Sequence, residues 1–397
     1  MQYDFDRLVD RRHTHSSKWD LSHAMFGEKD LLNMWVADMD FPCPQPVVEA
    51  LRRRVEHPFY GYTFAPDSLY DAIIEWVGKR YGWSIKKEWI VFNPGVIEGL
   101  YSAIKALAKP GDEIVVQPPV YYPFYQAIKQ AGCQLVYNPL RLEGTRYTMD
   151  LEGLEGKFRP ATTFPTHYPR VKALVLCSPH NPVARVWSRG ELEELGRVCL
   201  ANRCAIIADE IHCDLTVGEA RHTVMASVSK ELEQHTITLM SASKTFNLAG
   251  LHTSYAIIPQ AQWRDQFRQA RVGHGSVNLF GLVAMEAAYR HGDDYLRQLL
   301  DYLKGNVGLF TGYIRENIPA IHVVPPEGTY LAWVDMRRLG LDNLQLQRLI
   351  RQKARLAVND GYAFGPGGDG FQRFNLACPR SVVREALGRL EAALPGR

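Results

Sequence analysis

Three side chains with reactive or phosphate-binding chemistry lie together in the stretch Ser241-Ala242-Ser243-Lys244. The stretch follows an apolar run at 236–240, so Lys244 is predicted to lie on a loop just after a strand. A lysine amine can form a Schiff base with a carbonyl cofactor, and the two serine hydroxyls suit a phosphate held beside it. The alternatives are a solvated loop lysine and the Ser-x-x-Lys pair of penicillin-binding enzymes, whose Ser-Asp-Asn and Lys-Thr-Gly motifs are absent from the sequence.

Three more polar side chains follow predicted buried strands. Asn181 comes after the run 171–176, and Asp209 and His212 come after the run 204–208. In open α/β sheets the carboxyl ends of the strands form the edge at which ligands bind. We therefore predict a pyridoxal phosphate site, in which Asp209 keeps the pyridine nitrogen protonated while Asn181 and His212 donate hydrogen bonds to the phenolate oxygen.

The ring face and the phosphate of this cofactor also have predicted partners. Tyr121 lies on a loop stiffened by prolines and is predicted to stack on the pyridine ring. Val96 and Ile97 begin a helix after a strand and a tight turn, so their backbone N–H groups are free to bind an anion. The hydroxyls of Ser241 and Ser243 are predicted to complete the phosphate site.

Each of these residues also has a structural interpretation. Asp209 could cap a helix, Asn181 before a proline could occupy a turn, and His212 could be a buried histidine with satisfied hydrogen bonds. None of these interpretations explains why all of the residues fall on the same edge of one sheet. The shared position favours the cofactor site.

The substrate of such a site would be an amino acid, whose carboxylate is best bound by a bidentate arginine. Arg373 is the candidate, because it lies on a predicted strand at 371–376 that follows a glycine-rich loop. Arg185 and Arg380 are predicted to be structural.

Strand-like and helix-like stretches alternate along the chain, and this alternation predicts an α/β fold with a doubly wound, mostly parallel sheet and a smaller α+β domain. The predicted strands are 90–93, 113–117, 135–140, 171–176, 204–208, 236–240, 254–258, 322–324, 330–334 and 371–376. The predicted helices are 47–55, 67–81, the stretch from 96, 191–201 and the long periodic stretch 275–318.

The expected domain organisation has three parts. Residues 1–45 are predicted to form an N-terminal arm and part of a small domain, 46–285 the large cofactor-binding domain, and 286–397 the small C-terminal domain. The helical stretch 275–318 is predicted to bridge the two domains. The proline- and threonine-rich stretch 156–169 is predicted to be an ordered surface excursion and not a domain boundary.

Composition places the chain among ordinary globular proteins, with 397 residues of which 46% are hydrophobic and 22% charged. A net charge of +3 is too small to indicate binding to nucleic acid or to a membrane surface. Seven scattered cysteines without a Cys-x-x-Cys pair, and no apolar leader or span, indicate a cytoplasmic protein with reduced thiols. His13 and His15 form a His-x-His pair, which without a further ligand is typical of a surface arm, so no metal site is predicted.

Longer motifs in the sequence resemble the fold-type I pyridoxal-phosphate enzymes, the aspartate aminotransferase superfamily, and within it the MalY/PatB group of cystathionine β-lyases. The resemblance runs almost from end to end and depends on several motifs together. These are KWD at 18–20, WVADMDF at 35–41, PPVY at 118–121, PHNP at 179–182, DEIH at 209–212, SASKTFN at 241–247 and EGTY at 327–330.

The resemblance implies a homodimer with both active sites at the subunit interface, in which Tyr60 reaches the phosphate of the neighbouring subunit. It also implies that the backbone at Ala37 helps Arg373 to hold the substrate carboxylate. Several positions depart from common patterns. Ser178 stands where asparagine is common, and His13 and His15 differ from the usual N-terminal arm. Ala184 replaces the glycine of Asn-Pro-x-Gly-Arg, and His252 replaces an arginine that many aminotransferases carry eight residues after the lysine. The C–S lyase group also lacks that arginine, so His252 favours a lyase.

The activity implied by the resemblance is a carbon–sulfur β-lyase that cleaves L-cystathionine or related S-substituted cysteines to a thiol, pyruvate and ammonia. Lys244, Asp209 and Tyr121 are the expected catalytic residues. An aminotransferase is the first alternative, because both reactions begin with loss of the Cα proton. A regulatory binding protein built on the same fold is the second, although the sequence shows no DNA-binding element.

Overall fold

The computed structural model describes residues 1–158, 171–271 and 275–394. The helices in these ranges are α1 Ser17–Asp20, α2 Ser22–Phe26, α3 Gln45–Val55, α4 Asp67–Tyr81, α5 Val96–Leu107, α6 Pro123–Gln130, α7 Leu151–Lys157, α8 Arg189–Ala201, α9 Lys230–Gln234, α10 Ala261–Ala270, α11 Leu279–His291, α12 Asp293–Asn317, α13 Asn343–Arg348 and α14 Arg380–Ala393. The strands are β1 Leu32–Asn33, β2 Ile90–Asn93, β3 Glu113–Val116, β4 Gln134–Tyr137, β5 Arg141–Glu143, β6 Arg146–Thr148, β7 Val171–Cys177, β8 Ala205–Asp209, β9 Thr236–Met240, β10 Ser254–Ile257, β11 His322–Val323, β12 Leu331–Asp335, β13 Leu356–Ala357, β14 Asn359–Asp360 and β15 Phe371–Asn375.

Seven strands form the main sheet, in the order β2-β10-β9-β8-β7-β3-β4. Strand β10 runs antiparallel to both of its neighbours, β2 and β9, while the other pairs are parallel. The predicted α/β class with a doubly wound, mostly parallel sheet is therefore confirmed. Strand β4 ends at Tyr137, earlier than the predicted 140.

Both faces of the main sheet are buried under helices, which explains why its strands read as continuous apolar runs. In β7, Ala173 and Val175 pack with α5, α6 and α10 on one face. Leu174 and Leu176, one residue out of phase, pack with α7 and α8 on the other. Helix α8 begins at a capping box formed by Ser188 with Glu191, so its start is fixed by the local sequence.

A second, four-stranded sheet has the order β11-β12-β15-β14 and is antiparallel throughout. Helices α12 and α14 pack against it through a shared apolar cluster. The short strand β1 pairs with β13, so the N-terminal region joins this part of the molecule. The domain division at about 45 and 285 stays a prediction.

The long helical stretch predicted at 275–318 is two helices, α11 and α12, separated at Gly292. Helix α11 packs on α3 and α4, whereas α12 packs on α14 and β11. The predicted surface excursion at 156–169 lies outside the described residues from 159 onward. No helix in the described ranges combines the length and the apolar character that crossing a membrane requires.

Candidate active site

A cavity of about 310 Å³ opens at the carboxyl edge of the main sheet. It is bounded by the segments that follow β2, β7, β8 and β9 and by the residues that precede β10. Ten of the residues predicted from sequence line it: Ala37, Val96, Ile97, Tyr121, Asn181, Asp209, His212, Ser241, Ser243 and Lys244. The sheet topology thus brings together side chains that are far apart in sequence.

Lys244 lies on the turn between β9 and β10, and its Nζ donates a hydrogen bond to the carbonyl oxygen of Ala37 at 2.6 Å. Burial lowers the pKa of Lys244 to about 8, because a charged amine loses hydration there. A substantial fraction of the amine is therefore neutral slightly above neutral pH, as a nucleophile or a general base requires.

Asp209 ends β8, and its carboxylate accepts a hydrogen bond from the backbone N–H of Ile211 at 3.1 Å. Burial raises the pKa of Asp209 to about 7, although that N–H and the nearby Lys244 lower it. Such a carboxyl group favours a partner that shares a proton with it, and a pyridine nitrogen is one.

Arg373 is buried on β15. It does not line the cavity, but it is hydrogen-bonded to Asn181, which does. Its Nη1 donates to Asn181 Oδ1 at 2.9 Å, which leaves the amide nitrogen of Asn181 available as a donor toward a ligand. Its Nη2 donates to the Trp35 carbonyl and to Asn359 Oδ1, and its Nε is buried without a partner. Among the described residues no carboxylate pairs with this guanidinium, so the site has an uncompensated buried positive charge that suits a carboxylate ligand.

Two ring-bearing residues that were predicted to contact the cofactor, His212 and Tyr121, line the cavity. His212 is buried with its Nδ1 unpartnered, and burial lowers its pKa well below the ordinary value, so the ring is neutral. Its ring meets Tyr330 edge to face, with centroids 5.9 Å apart. Tyr121 lines the cavity on the loop before α6, and burial raises its phenol pKa to about 12, so it stays protonated.

The predicted phosphate site is the N-terminal end of α5, where Gly95 precedes Val96 and no side chain caps the helix. Ser243 lines the same cavity. Ser241 differs from the expectation in one respect, because its hydroxyl donates to the Thr253 carbonyl at 2.7 Å and accepts from the Ser243 N–H. A hydroxyl has one proton, so donation from Ser241 to a phosphate would require it to leave that carbonyl.

Tyr60 does not reach the cavity of its own chain. It lies on the exposed segment before α4, where its hydroxyl donates to the Val55 carbonyl at 3.1 Å. Neither alternative arginine lines the cavity. Arg185 pairs with Glu191 and Glu327 at 2.8 Å, and Arg380 donates from Nε to Asn306 Oδ1 at 3.3 Å.

Sequence reasoning did not assign roles to several residues at the site. Tyr330 donates to the Ala37 carbonyl at 2.9 Å, beside the Lys244 amine. The lining also includes Cys177 and His252. Tyr330 and His252 were visible in the motifs, but their contacts depend on the tertiary fold.

These residues fit pyridoxal phosphate. A buried amine, a buried carboxyl, a buried histidine with an unpartnered ring nitrogen and an uncapped helix N-terminus line one cavity. They match the carbonyl, ring nitrogen, phenolate and phosphate of that cofactor.

Comparisons with known proteins agree with this geometry. The family model described as aminotransferase class I and II matches residues 29–390. Cystathionine beta-lyase PatB of Bacillus subtilis (strain 168) is 38% identical over an alignment covering 98% of this chain and 100% of that protein.

Two solved structures carry the cofactor. A PLP-bound protein from Clostridium difficile 630, provisionally named an aminotransferase, has a TM-score of 0.95 and 43% identity, covering 99% of this chain and 100% of that one. The PLP-bound C–S lyase of Staphylococcus hominis has a TM-score of 0.91 and 31% identity, covering 100% and 99% of the two chains.

Proposed function

The chain belongs to the aminotransferase class I and II family, and we propose on this basis that it is a pyridoxal-phosphate-dependent carbon–sulfur β-lyase. Its substrates are L-cystathionine or related S-substituted cysteines, in line with the activities for which PatB and the Staphylococcus hominis enzyme are named. The observation that carries the proposal is that the Lys244 amine and the Asp209 carboxyl line one cavity at the ends of adjacent strands.

Pyridoxal phosphate, when bound, supplies an electron-accepting ring that stabilises negative charge at the substrate Cα. With the cofactor bound, Asp209 would hold the proton on the ring nitrogen, and Asn181 and His212 would donate hydrogen bonds to the phenolate oxygen. Arg373 binds the substrate carboxylate with help from the backbone at Ala37, which fixes the Cα–H bond toward Lys244. Lys244, as a neutral amine, removes the Cα proton.

The Cβ–S bond then breaks with both electrons leaving on sulfur, and the sulfur takes a proton to become a thiol. The remaining three-carbon enamine hydrolyses to pyruvate and ammonia. Tyr121 lies beside this reaction path and is proposed to stack on the ring. Protection from water comes from the buried walls of the cavity.

The test is a panel of S-substituted cysteines, including L-cystathionine, assayed for pyruvate and for free thiol. The proposal expects the two products in equal amounts. Absence of pyruvate with every member of the panel would exclude the lyase.

An aminotransferase is the second candidate, because the Clostridium difficile relative carries that provisional name. Transfer of the amino group would convert the cofactor from its aldehyde form to its amine form, and a keto acid would be required to regenerate the aldehyde. Conversion of the holoenzyme spectrum by amino acids without a leaving group at Cβ, reversed by keto acids, would favour this candidate.

A homodimer with shared active sites is also part of the proposal. Its support is a group of exposed aromatic side chains on the segment before α4: Phe59, Tyr60, Tyr62 and Phe64. Exposed apolar surface of this kind is typical of an interface.

A cytoplasmic location is also proposed, and it accords with the seven free cysteines.

We predict that the protein sediments as a dimer and that Tyr60→Phe binds pyridoxal phosphate about tenfold more weakly, through loss of one hydrogen bond to a charged phosphate. The measurements are sedimentation velocity and cofactor titration of the protein after cofactor removal. Tyr62→Phe is the matched control, since Tyr62 is fully exposed on the same segment. A monomer with unchanged cofactor binding in the Tyr60 variant would contradict the prediction.

A further inference from the structure

Residues 35–41, which we call the crossing segment, are hydrogen-bonded to the second sheet and to the loop that carries Lys244. Asn375 on β15 donates to two carbonyls of the segment, each at 2.6 Å. Asn247, on the Lys244 loop, donates to two others at 2.9 and 2.8 Å and accepts one backbone N–H. Arg373 donates to a further carbonyl at 2.8 Å. The position of this segment is therefore fixed from several directions.

The two acidic side chains of the crossing segment, Asp38 and Asp40, meet two cations of the N-terminal arm. Arg11 bridges them, at 2.7 Å from each carboxylate. Lys18 is completely buried and lies 2.6 Å from Asp40 and 3.8 Å from Asp38. The four formal charges cancel, and one oxygen of Asp38 is buried without a hydrogen-bond partner.

This charge cluster is adjacent to the Lys244 amine, because Lys244 donates to the carbonyl of Ala37, the residue before Asp38. Burial lowers the pKa of Lys244, and the Asp38 carboxylate is the largest influence that raises it, opposed by Arg373 and assisted by Asp209. Other titratable side chains that line the same cavity are Glu98, Tyr121, Cys177, His212 and His252, and Tyr330 lies beside the amine.

We propose that Asp38 is a positioning residue that sets the proton affinity of Lys244. Arg11 of the N-terminal arm partly neutralises Asp38 and so determines how strongly the Asp38 charge acts on the amine. Asp38 acts through its charge and through the Ala37 carbonyl, and it is not among the residues that line the cavity. The proposal takes from the proposed function only that Lys244 carries the reacting nitrogen.

The charges give the proposal opposite signs for two substitutions. Asp38→Asn leaves the cluster one unit more positive, so Lys244 should lose its proton more readily. Arg11→Gln leaves the cluster one unit more negative, so Lys244 should hold its proton more tightly. A role confined to folding would weaken the protein in both variants without moving the titration in opposite directions.

The experiment is a pH titration of the visible absorbance of the bound cofactor, which changes with the protonation of the Lys244 nitrogen, in four holoenzyme variants. Asp38→Asn should move the midpoint down, and Arg11→Gln should move it up, each by about half a pH unit or more. The double variant should return it close to the original value. Arg12→Gln is the matched control, because Arg12 and its partner Asp10 are both exposed and no other ion pair of Arg12 occurs in the described part of the chain. The midpoint of this variant should not move.

The acidic limb of turnover should shift with the absorbance midpoint in each variant. The proposal would be overturned if the midpoint shifted in the same direction in both single variants or did not shift in either. It would also be overturned if the midpoint of the double variant did not return close to the original value. If Asp38→Asn fails to fold, Arg11→Gln against Arg12→Gln decides the question, and no upward shift overturns it. Failure of the lyase assay would leave the absorbance test intact, so the two failures are distinguishable.

Discussion

Replacing Lys244 with alanine is expected to lower pyruvate formation by about 10²- to 10⁴-fold or more, because the variant loses its general base. The visible absorbance of the bound cofactor should disappear with it. Among the residues described around the cavity, Lys244 is the lysine that lines it, so no neighbouring amine is placed to substitute. The measurements are steady-state turnover and an absorbance spectrum of the purified variant.

The matched control is Lys230→Ala, because the Lys230 side chain is 90% exposed and, among the residues that the structure describes, pairs with Glu233 alone. It should retain normal turnover and absorbance. A small primary amine added to Lys244→Ala should restore part of the rate by occupying the vacated space. A Lys244→Ala protein that keeps its absorbance band would mean that another lysine binds the cofactor.

Asp209→Asn is expected to reduce turnover by about 10²-fold or more while stabilising the cofactor-free protein. Turnover falls because an amide cannot hold a proton on the ring nitrogen as a carboxylate does. Stability rises because the amide removes a buried charge and can still accept the hydrogen bond from Ile211. The two effects therefore have opposite signs.

The stability of the cofactor-free protein is expected to depend on pH because the pKa of Asp209 is raised to about 7 in the folded protein, against 3.8 for the unperturbed group. Between these values the folded state binds more protons than the unfolded state, so the native protein loses stability as the pH rises. The loss is complete above pH 7 and amounts to as much as about 4 kcal/mol. Thermal unfolding should show the Asn variant to be more stable at pH 8, with the difference vanishing below about pH 4.

Asp214→Asn is an informative control, since Asp214 is equally buried but pairs with Arg80 at 2.7 Å and accepts a hydrogen bond from Thr245 at 2.8 Å. Removing its charge should destabilise the protein at pH 8 by a few kcal/mol. Destabilisation by both substitutions would show that Asp209 is compensated in the folded protein and would contradict the prediction.

Most of the main sheet could be predicted from the sequence because its strands are buried on both faces. Strands β8 and β9 are short apolar runs that end at polar residues, so both the strands and the candidate residues at their ends were visible together. A parallel arrangement then places those ends on one edge. The positions of Asp209 and Lys244 in the cavity follow directly.

The contacts of the crossing segment could not be predicted in this way. Asn375 and Asn247 bond to its backbone across sequence separations of more than 200 residues, and such pairs leave no periodic pattern. The engagement of the Ser241 hydroxyl with Thr253 was also hidden, because it depends on the antiparallel placement of β10. Local sequence indicates which residues can form hydrogen bonds, but the tertiary fold selects their partners.

Ala184 departs from the motif at a position whose backbone conformation favours glycine. Its φ of +57° lies in the left-handed region, where glycine carries no penalty and alanine costs about 1 kcal/mol. The residue is completely buried, and its carbonyl accepts the N–H groups of Glu327 and Gly328. The family preference for glycine at this position therefore reflects backbone conformation.

The antiparallel strand β10 has a consequence for repeated turnover. Strands β9 and β10 are hydrogen-bonded neighbours, so the loop that carries Lys244 leaves and re-enters the sheet at adjacent points, and the Ser241–Thr253 hydrogen bond closes its base. Because its two ends are held together, this loop gains little conformational freedom when the Lys244 amine exchanges one bonding partner for another. Lys244 can thus change partners by side-chain rotation alone while its backbone stays in place. The amine therefore begins each catalytic cycle from the same position.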